Sequence, residues 1–111
     1  MAAAALVNLA GGDALTALNA GSLALQNIIG LVCDPVADRV EVPCLGKNIM
    51  AALNALASAN MALAGFDTVI PAGEVIEAMK SVGCSMPHEL RCTGKGGLSI
   101  TPSAMKTSFN K

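Results

Sequence analysis

The sequence has almost no aromatic residues and unusually few charges. It contains two Phe, no Trp and no Tyr. Charged residues make up 14% of the 111 residues, against about 25% in typical soluble domains. A chain of this size forms at most one domain with a modest core, and such a domain needs polar surface. The deficit therefore indicates that other protein, from the same polypeptide or a partner subunit, covers part of its surface.

Other absences exclude whole classes of function. A net charge of -1 with scattered basic residues gives no electrostatic footprint for nucleic acid. The most apolar window, residues 14–32, contains five polar residues, so we expect no membrane-spanning helix. The N-terminus lacks the basic segment and the cleavage site of a signal peptide. We therefore expect a cytoplasmic protein, whose four cysteines stay reduced.

Alanine- and leucine-rich segments punctuated by glycine predict an all-α fold, a small bundle of four or five helices with one long cysteine-bearing loop. Helices are predicted over residues 2–9, 14–29, 49–64 and 71–82, followed by a short turn at 87–91. Asp13 and Asn48 are the predicted N-caps of the second and third helices. Residues 103–111 are expected to form a flexible tail.

Helical periodicity also predicts which side chains are buried. The second helix should bury a stripe formed by Leu15, Leu18, Ser22, Leu25 and Ile29. The third helix has no charged residue, so we expect it to be central and packed on all sides. The fourth helix should turn an apolar face to the core, formed by Val75, Ile76, Met79 and Val82.

Cys33 and Cys44 lie at the ends of the long loop, in which Pro35 and Pro43 prevent a helix. Ten residues separate the two thiols, which fits neither a zinc site nor a thioredoxin motif. Two interpretations stay open on spacing alone. The thiols are two ligands of an iron–sulfur cluster, or they are ordinary half-buried thiols in a reducing compartment.

The remaining candidates favour structural roles. Asp34 is expected to accept hydrogen bonds from loop amides. Cys84 and Cys92 are interpreted as structural or exposed thiols. His88 has no identifiable partner for general-base work. Residues 93–97 lack the spacing of a phosphate-binding loop.

Several stretches together resemble one family. They are residues 27–37 (Asn-Ile-Ile-Gly-Leu-Val-Cys-Asp-Pro-Val-Ala), 40–44 (Val-Glu-Val-Pro-Cys), 47–48 (Lys-Asn), 60–65, 69–71, 74–76 and 89–98. The combination is similar to the iron–sulfur-dependent L-serine dehydratases of bacteria, in the C-terminal part of their α subunit. The resemblance implies that residues 1–102 are the C-terminal portion of a larger helical catalytic domain.

The resemblance also implies a [4Fe-4S] cluster held by three cysteines, with one iron left open to activate the hydroxyl of L-serine. Cys33 and Cys44 match two of these ligands, and the third is expected to lie outside this chain. Asp34, Pro35, Pro43 and Asn48 match loop-shaping positions. The implied product is pyruvate with ammonia, and the implied partners are the remainder of the α subunit and a β subunit or domain. The base and the substrate-binding residues stay unassigned, and the chain alone is expected to be inactive.

Two departures from the family pattern bear on the loop. Asp38 stands where the family usually has glycine, and Arg39 follows where an apolar residue is common. The exchange of a glycine matters if its φ is positive. A competing hypothesis is a non-catalytic helical interaction module whose loop cysteines bind no metal.

Overall fold

The computed structural model describes residues 1–108, and five α-helices lie in that range. They are α1 (Ala2–Leu9), α2 (Ala14–Gln26), α3 (Cys44–Leu63), α4 (Ala72–Ser85) and α5 (Pro102–Ser108). Two short 3₁₀ turns separate α4 from α5, at His88–Leu90 and Gly97–Ile100. No strand occurs among residues 1–108. The predicted all-α bundle is confirmed. No helix in the described range is long and apolar enough to cross a membrane.

Small side chains build the core where α1, α2 and α3 pack against one another. The core residues are Ala3, Val7, Ala20, Leu23, Ala55, Ala59 and Ala62. Alanine allows helix axes to approach closely, so this core depends on broad helix contact rather than on large side chains. Helix α4 packs on α2, and α5 packs on the second 3₁₀ turn.

Helix α2 begins as predicted and buries only part of the predicted stripe, namely Ser22. The Asp13 side chain accepts a hydrogen bond from the Thr16 amide at 2.8 Å, which confirms the N-cap. Its buried residues are Ala20, Ser22 and Leu23. The prediction was wrong for Leu15 and Leu18, which are 66% and 60% exposed, because α1 and α3 approach the alanine-bearing side. The helix also ends at Gln26 rather than at residue 29.

Helix α3 is covered on one side only, so the prediction of packing on all sides was wrong. Its buried residues are Ala55, Ser58, Ala59 and Ala62. The opposite face carries large apolar side chains in the open, namely Ile49, Met50, Leu53, Leu56 and Leu63. The Cα extents of 52 × 27 × 15 Å describe a thin slab, which leaves no second layer to cover that face.

The C-terminal half differs from the sequence prediction in its details. Helix α4 runs through Gly83, which was predicted to stop it. Val75 is buried as predicted, whereas Ile76 is 56% exposed. Part of the predicted tail, up to Ser108, is helical. Residues 109–111 lie outside the described residues.

Candidate functional site

Cys33 lies in the loop between α2 and α3, where backbone hydrogen bonds join it to a distant segment. The Cys33 amide donates to the Leu90 carbonyl at 2.9 Å. The Cys92 amide donates to the Cys33 carbonyl at 2.8 Å. These bonds fix the backbone of Cys33 on both sides, so this half-buried thiol has a defined position.

Cys44 is the first residue of α3 rather than the last residue of the loop. The Lys47 amide donates to the Pro43 carbonyl at 3.1 Å, which starts the helix four residues before the predicted Asn48 cap. Asn48 therefore lies inside the helix, just past its first turn, where its side-chain amide donates to the Cys44 carbonyl at 2.9 Å.

Asp34 is 3% exposed and ties the loop to two segments that are distant in the sequence. Its Oδ2 accepts from the Leu98 amide at 2.8 Å, and its Oδ1 accepts from Lys47 Nζ at 2.6 Å. Burial raises the pKa of Asp34, but the hydrogen bonds from Lys47 and Leu98 outweigh it and hold the pKa below its ordinary value. Asp34 is therefore a charged, fully engaged carboxylate.

Lys47 joins the cysteine loop to α3. Besides its ion pair with Asp34, its Nζ donates to the Val32 carbonyl at 2.6 Å. It thus holds the residues on both sides of Cys33, while Lys47 itself follows Cys44 by one helical turn. Sequence reasoning missed this role. The sequence did contain a signal for this role. A buried carboxylate needs a counter-charge, and Lys47 is one of two cations near the loop that could provide it.

The second 3₁₀ turn closes the other side of the loop. Ser99 Oγ donates to the Pro35 carbonyl at 2.8 Å. Gly97 has a φ of +60°, and a Cβ there would lie 2.6 Å from Asp34 Oδ2. Only glycine lets the Leu98 amide reach Asp34 in this way. The glycine-rich stretch at 93–97 packs on the loop and is not a phosphate cradle.

The turn that carries Asp38 needs a left-handed backbone. Ala37 and Asp38 have φ values of +52° and +57°, and the Arg39 amide donates to the Val36 carbonyl at 3.0 Å. This conformation explains why glycine suits position 38, and aspartate is among the residues that tolerate it. Aspartate at position 38, where the family usually has glycine, is therefore compatible with a tight turn.

The thiol groups of the loop influence one another. A hydrogen bond with the Cys92 side chain, burial, and the nearby Cys92 and Cys44 thiols raise the pKa of the Cys33 thiol, and the Lys47 ammonium opposes them. Within residues 1–108, no three His, Cys, Asp or Glu side chains are grouped so that they could hold a metal ion. The described part of the chain thus brings thiols together without completing a metal site.

The other candidates lie apart from this group. His88 and Cys84 are exposed, and His88 lies in the first 3₁₀ turn. Cys92 is exposed as predicted, but it lies beside Cys33, which sequence spacing gave no means to foresee.

Comparison with known proteins identifies consistent relatives. The family model described as serine dehydratase alpha chain matches residues 1–99. A probable L-serine dehydratase alpha chain of Latilactobacillus sakei is 53% identical, over 95% of this chain and 50% of its own length. The probable L-serine dehydratase alpha chain of Bacillus subtilis is also 53% identical, over 93% of this chain and 34% of its own length. For the L-serine dehydratase alpha chain of Peptoniphilus asaccharolyticus the identity is 47%, over 96% of this chain and 36% of its own length.

The chain therefore spans between a third and a half of the length of these relatives. No solved structure matches it significantly.

Proposed function

This chain belongs to the serine dehydratase alpha chain family, and from that premise we propose that it is part of a lyase that deaminates L-serine to pyruvate and ammonia. The relatives are named as L-serine dehydratases, which supports the substrate. Because the chain spans at most half of these relatives, the complete enzyme includes further protein. We assign residues 1–102 to the catalytic domain, in a reducing cytoplasm where cysteines stay available as ligands.

Cys33 and Cys44 supply two of the three cysteine ligands of a [4Fe-4S] cluster, and the third ligand comes from outside this chain. The chemistry of the donor set fits, since thiolates hold such clusters. The observation that carries the proposal is the Lys47–Asp34 ion pair of 2.6 Å, which fixes the loop of Cys33 against the helix of Cys44. When bound, the cluster supplies a Lewis-acidic iron that offsets the charge developing on the departing hydroxyl.

The residues of this chain orient the ligands rather than move protons. Asp34 is buried, both of its oxygens accept hydrogen bonds from this chain and its pKa is held low, so we assign it an orienting role rather than that of the base. Asp34 and Lys47 instead keep the Cys33 backbone in place, and Pro35 is tied to Ser99 on the far side. The general base belongs to the part of the enzyme that this chain does not supply.

The exposed apolar face of α3 is where the remainder of the alpha chain docks. That face includes Leu53 and Leu56 and lies opposite the buried alanines. Exposed apolar area of this extent is typical of a surface that other protein covers. The printed names of the relatives specify an alpha chain, which supports a further subunit as partner.

The test is a set of cysteine variants in the enzyme assembled from this chain and its missing parts. We expect Cys33→Ser and Cys44→Ser each to abolish the visible absorbance of the cluster and pyruvate formation, since a lost ligand removes the metal. Cys84→Ser is the matched control, because Cys84 is an exposed thiol that is not among the proposed ligands. Unchanged iron content in both ligand variants would refute the assignment.

The competing hypothesis of a helical interaction module draws support from the same exposed face of α3. It predicts that the assembled, unmutated protein binds no iron or sulfide after anaerobic reconstitution. Our proposal requires iron in the assembled protein and no pyruvate from this chain alone. Pyruvate formation by the isolated chain would contradict the claim that it is incomplete.

A further inference from the structure

Cys92 is the unexplained thiol next to the candidate ligands. It is exposed, it has a left-handed φ of +62°, and its amide donates to the Cys33 carbonyl at 2.8 Å. Residues other than glycine adopt this backbone region rarely, and they do so mainly where the surroundings impose it. The structure therefore holds Cys92 against Cys33 although 58 residues separate them in the chain.

The geometry of this pair suits a disulfide. Disulfides span Cα–Cα distances of about 4.4–6.8 Å. The bond of 2.8 Å from the Cys92 amide to the Cys33 carbonyl holds the two backbones in contact. The Cys92 thiol also lies close enough to contribute to the raised pKa of the Cys33 thiol. Cys84, although exposed, has no such backbone bond to another cysteine among residues 1–108.

We propose that Cys33 and Cys92 form a reversible modification site, in which a low-molecular-weight disulfide oxidises the two thiols to an intramolecular disulfide. The exposed Cys92 thiolate attacks one sulfur of the oxidant and releases one thiol, which leaves a mixed disulfide. The Cys33 thiolate then attacks the Cys92 sulfur and releases the second thiol. Two electrons and two protons pass to the oxidant, which becomes two thiols.

This modification controls the same site as the proposed function and rests on it for its consequence. A cysteine in a disulfide is no longer a thiolate and cannot ligate iron. Oxidation therefore removes Cys33 from the ligand set, and reduction by an excess of thiol restores it. A bound cluster would in turn occupy Cys33 and protect the pair from oxidation.

The sequence makes the linkage easy to map. Cleavage after Arg and Lys places the four cysteines on different peptides, which are residues 1–39, 40–47, 81–91 and 92–95. The reduced, metal-free chain would be incubated with oxidised glutathione, alkylated and digested without reductant. Mass spectrometry is expected to find peptide 92–95 linked to peptide 1–39 as the dominant product, and to lose it in Cys92→Ser but not in Cys84→Ser.

A parallel reaction in denaturant shows whether the fold directs the linkage. In an unfolded chain, loop-closure entropy favours the Cys84–Cys92 link over the Cys33–Cys92 link by about 20-fold, because the loop is roughly seven times shorter. The folded chain should reverse this preference. A product dominated by Cys84–Cys92 or Cys33–Cys44, or by glutathione adducts alone, in the native protein overturns the proposal.

The final experiment distinguishes a failure of this proposal from a failure of the proposed function. The oxidised and re-reduced enzymes would each be reconstituted with iron and sulfide, and the iron content measured. We expect iron only after reduction. Iron binding without any Cys33–Cys92 linkage would refute the modification site alone. The linkage without iron binding in the reduced enzyme would refute the cluster assignment alone.

Discussion

Asp34 and Lys47 show how two side chains can organise a loop that has little regular structure. The Asp34 carboxylate is buried, whereas the Lys47 side chain is 23% exposed. The pair stabilises the fold only if both charges are present, because an unpaired buried charge costs several kcal/mol. Its role here is to set the position of Cys33, and its removal tests that role directly.

We predict that Lys47→Met lowers the free energy of unfolding by about 2–3 kcal/mol at neutral pH. The Asp34 pKa is lowered in the folded protein, so the pair stabilises above the unfolded value of about 3.9 and the benefit disappears as the pH falls through the folded pKa. The variant leaves a buried carboxylate that acid neutralises. Because burial without Lys47 raises the pKa of Asp34 in the variant, the deficit should begin to shrink above pH about 4 and continue to shrink as the pH falls through the lowered pKa of the unmodified protein. Urea unfolding across this pH range measures both effects.

Lys80→Met on α4 is the matched control, since Lys80 is exposed. Its effect should stay within about 0.5 kcal/mol at every pH. If the deficit of Lys47→Met were the same at acidic and neutral pH, the ion pair would not be its origin.

At the scale of elements, α3 combines two unlike faces. Its buried face is made of alanine and serine, and its exposed face carries leucine, isoleucine and methionine. Small residues on the buried face allow α1 and α2 to approach, which is why larger side chains could not replace them. The absence of charge that the sequence revealed thus has two separate causes, internal packing on one face and an expected partner on the other.

The buried face of α3 should be intolerant of larger side chains. We predict that Ala59→Leu, at a position that is 2% exposed, destabilises the chain by about 1–3 kcal/mol because the added atoms have no space. Ala57→Leu makes the same change at an exposed position of the same helix and should cost less than about 0.5 kcal/mol. Thermal unfolding of both variants checks this, and equal losses would refute the packing argument.

At the scale of the whole molecule, the chain is a thin slab with apolar side chains on its outer faces. A slab this thin buries little of its apolar surface alone. The low charge of the chain and the fact that it spans only part of the length of its relatives then have a common explanation. The chain is suited to be one layer of a larger helical domain.

We predict that Leu53→Ser leaves the isolated chain almost unaffected but weakens its association with the remainder of the alpha chain by tenfold or more. Leu53 is 63% exposed, so its loss costs the isolated chain about 0.5 kcal/mol or less. In a covered interface the same leucine would contribute about 1.5–3 kcal/mol. Binding of the two separately produced pieces measures the difference, with Lys80→Ala as control. Equal binding of both variants would mean that this face is not the docking surface.

Local sequence determined the features whose causes lie within one turn or one helix. Asp13 caps α2 because its carboxylate needs only the amide three residues on, and the all-α class follows from helix propensity along the chain. Asp34 is not such a case, because its partners Lys47 and Leu98 lie 13 and 64 residues away in the chain. The sequence motif around Cys33 and Cys44 was enough to indicate the family.

Tertiary structure decided what depends on distant partners. Sequence could not reveal that Cys92 meets Cys33, because their hydrogen bond closes a loop that carries no periodic signal. The early start of α3 also escaped prediction. The Lys47 amide makes an early hydrogen bond of α3, to the Pro43 carbonyl, and the Lys47 side chain pairs with Asp34. The position at which α3 begins is therefore tied to a contact across the loop. Exposure of the leucines was likewise undetermined, since hydrophobic periodicity identifies an apolar face but not which protein covers it.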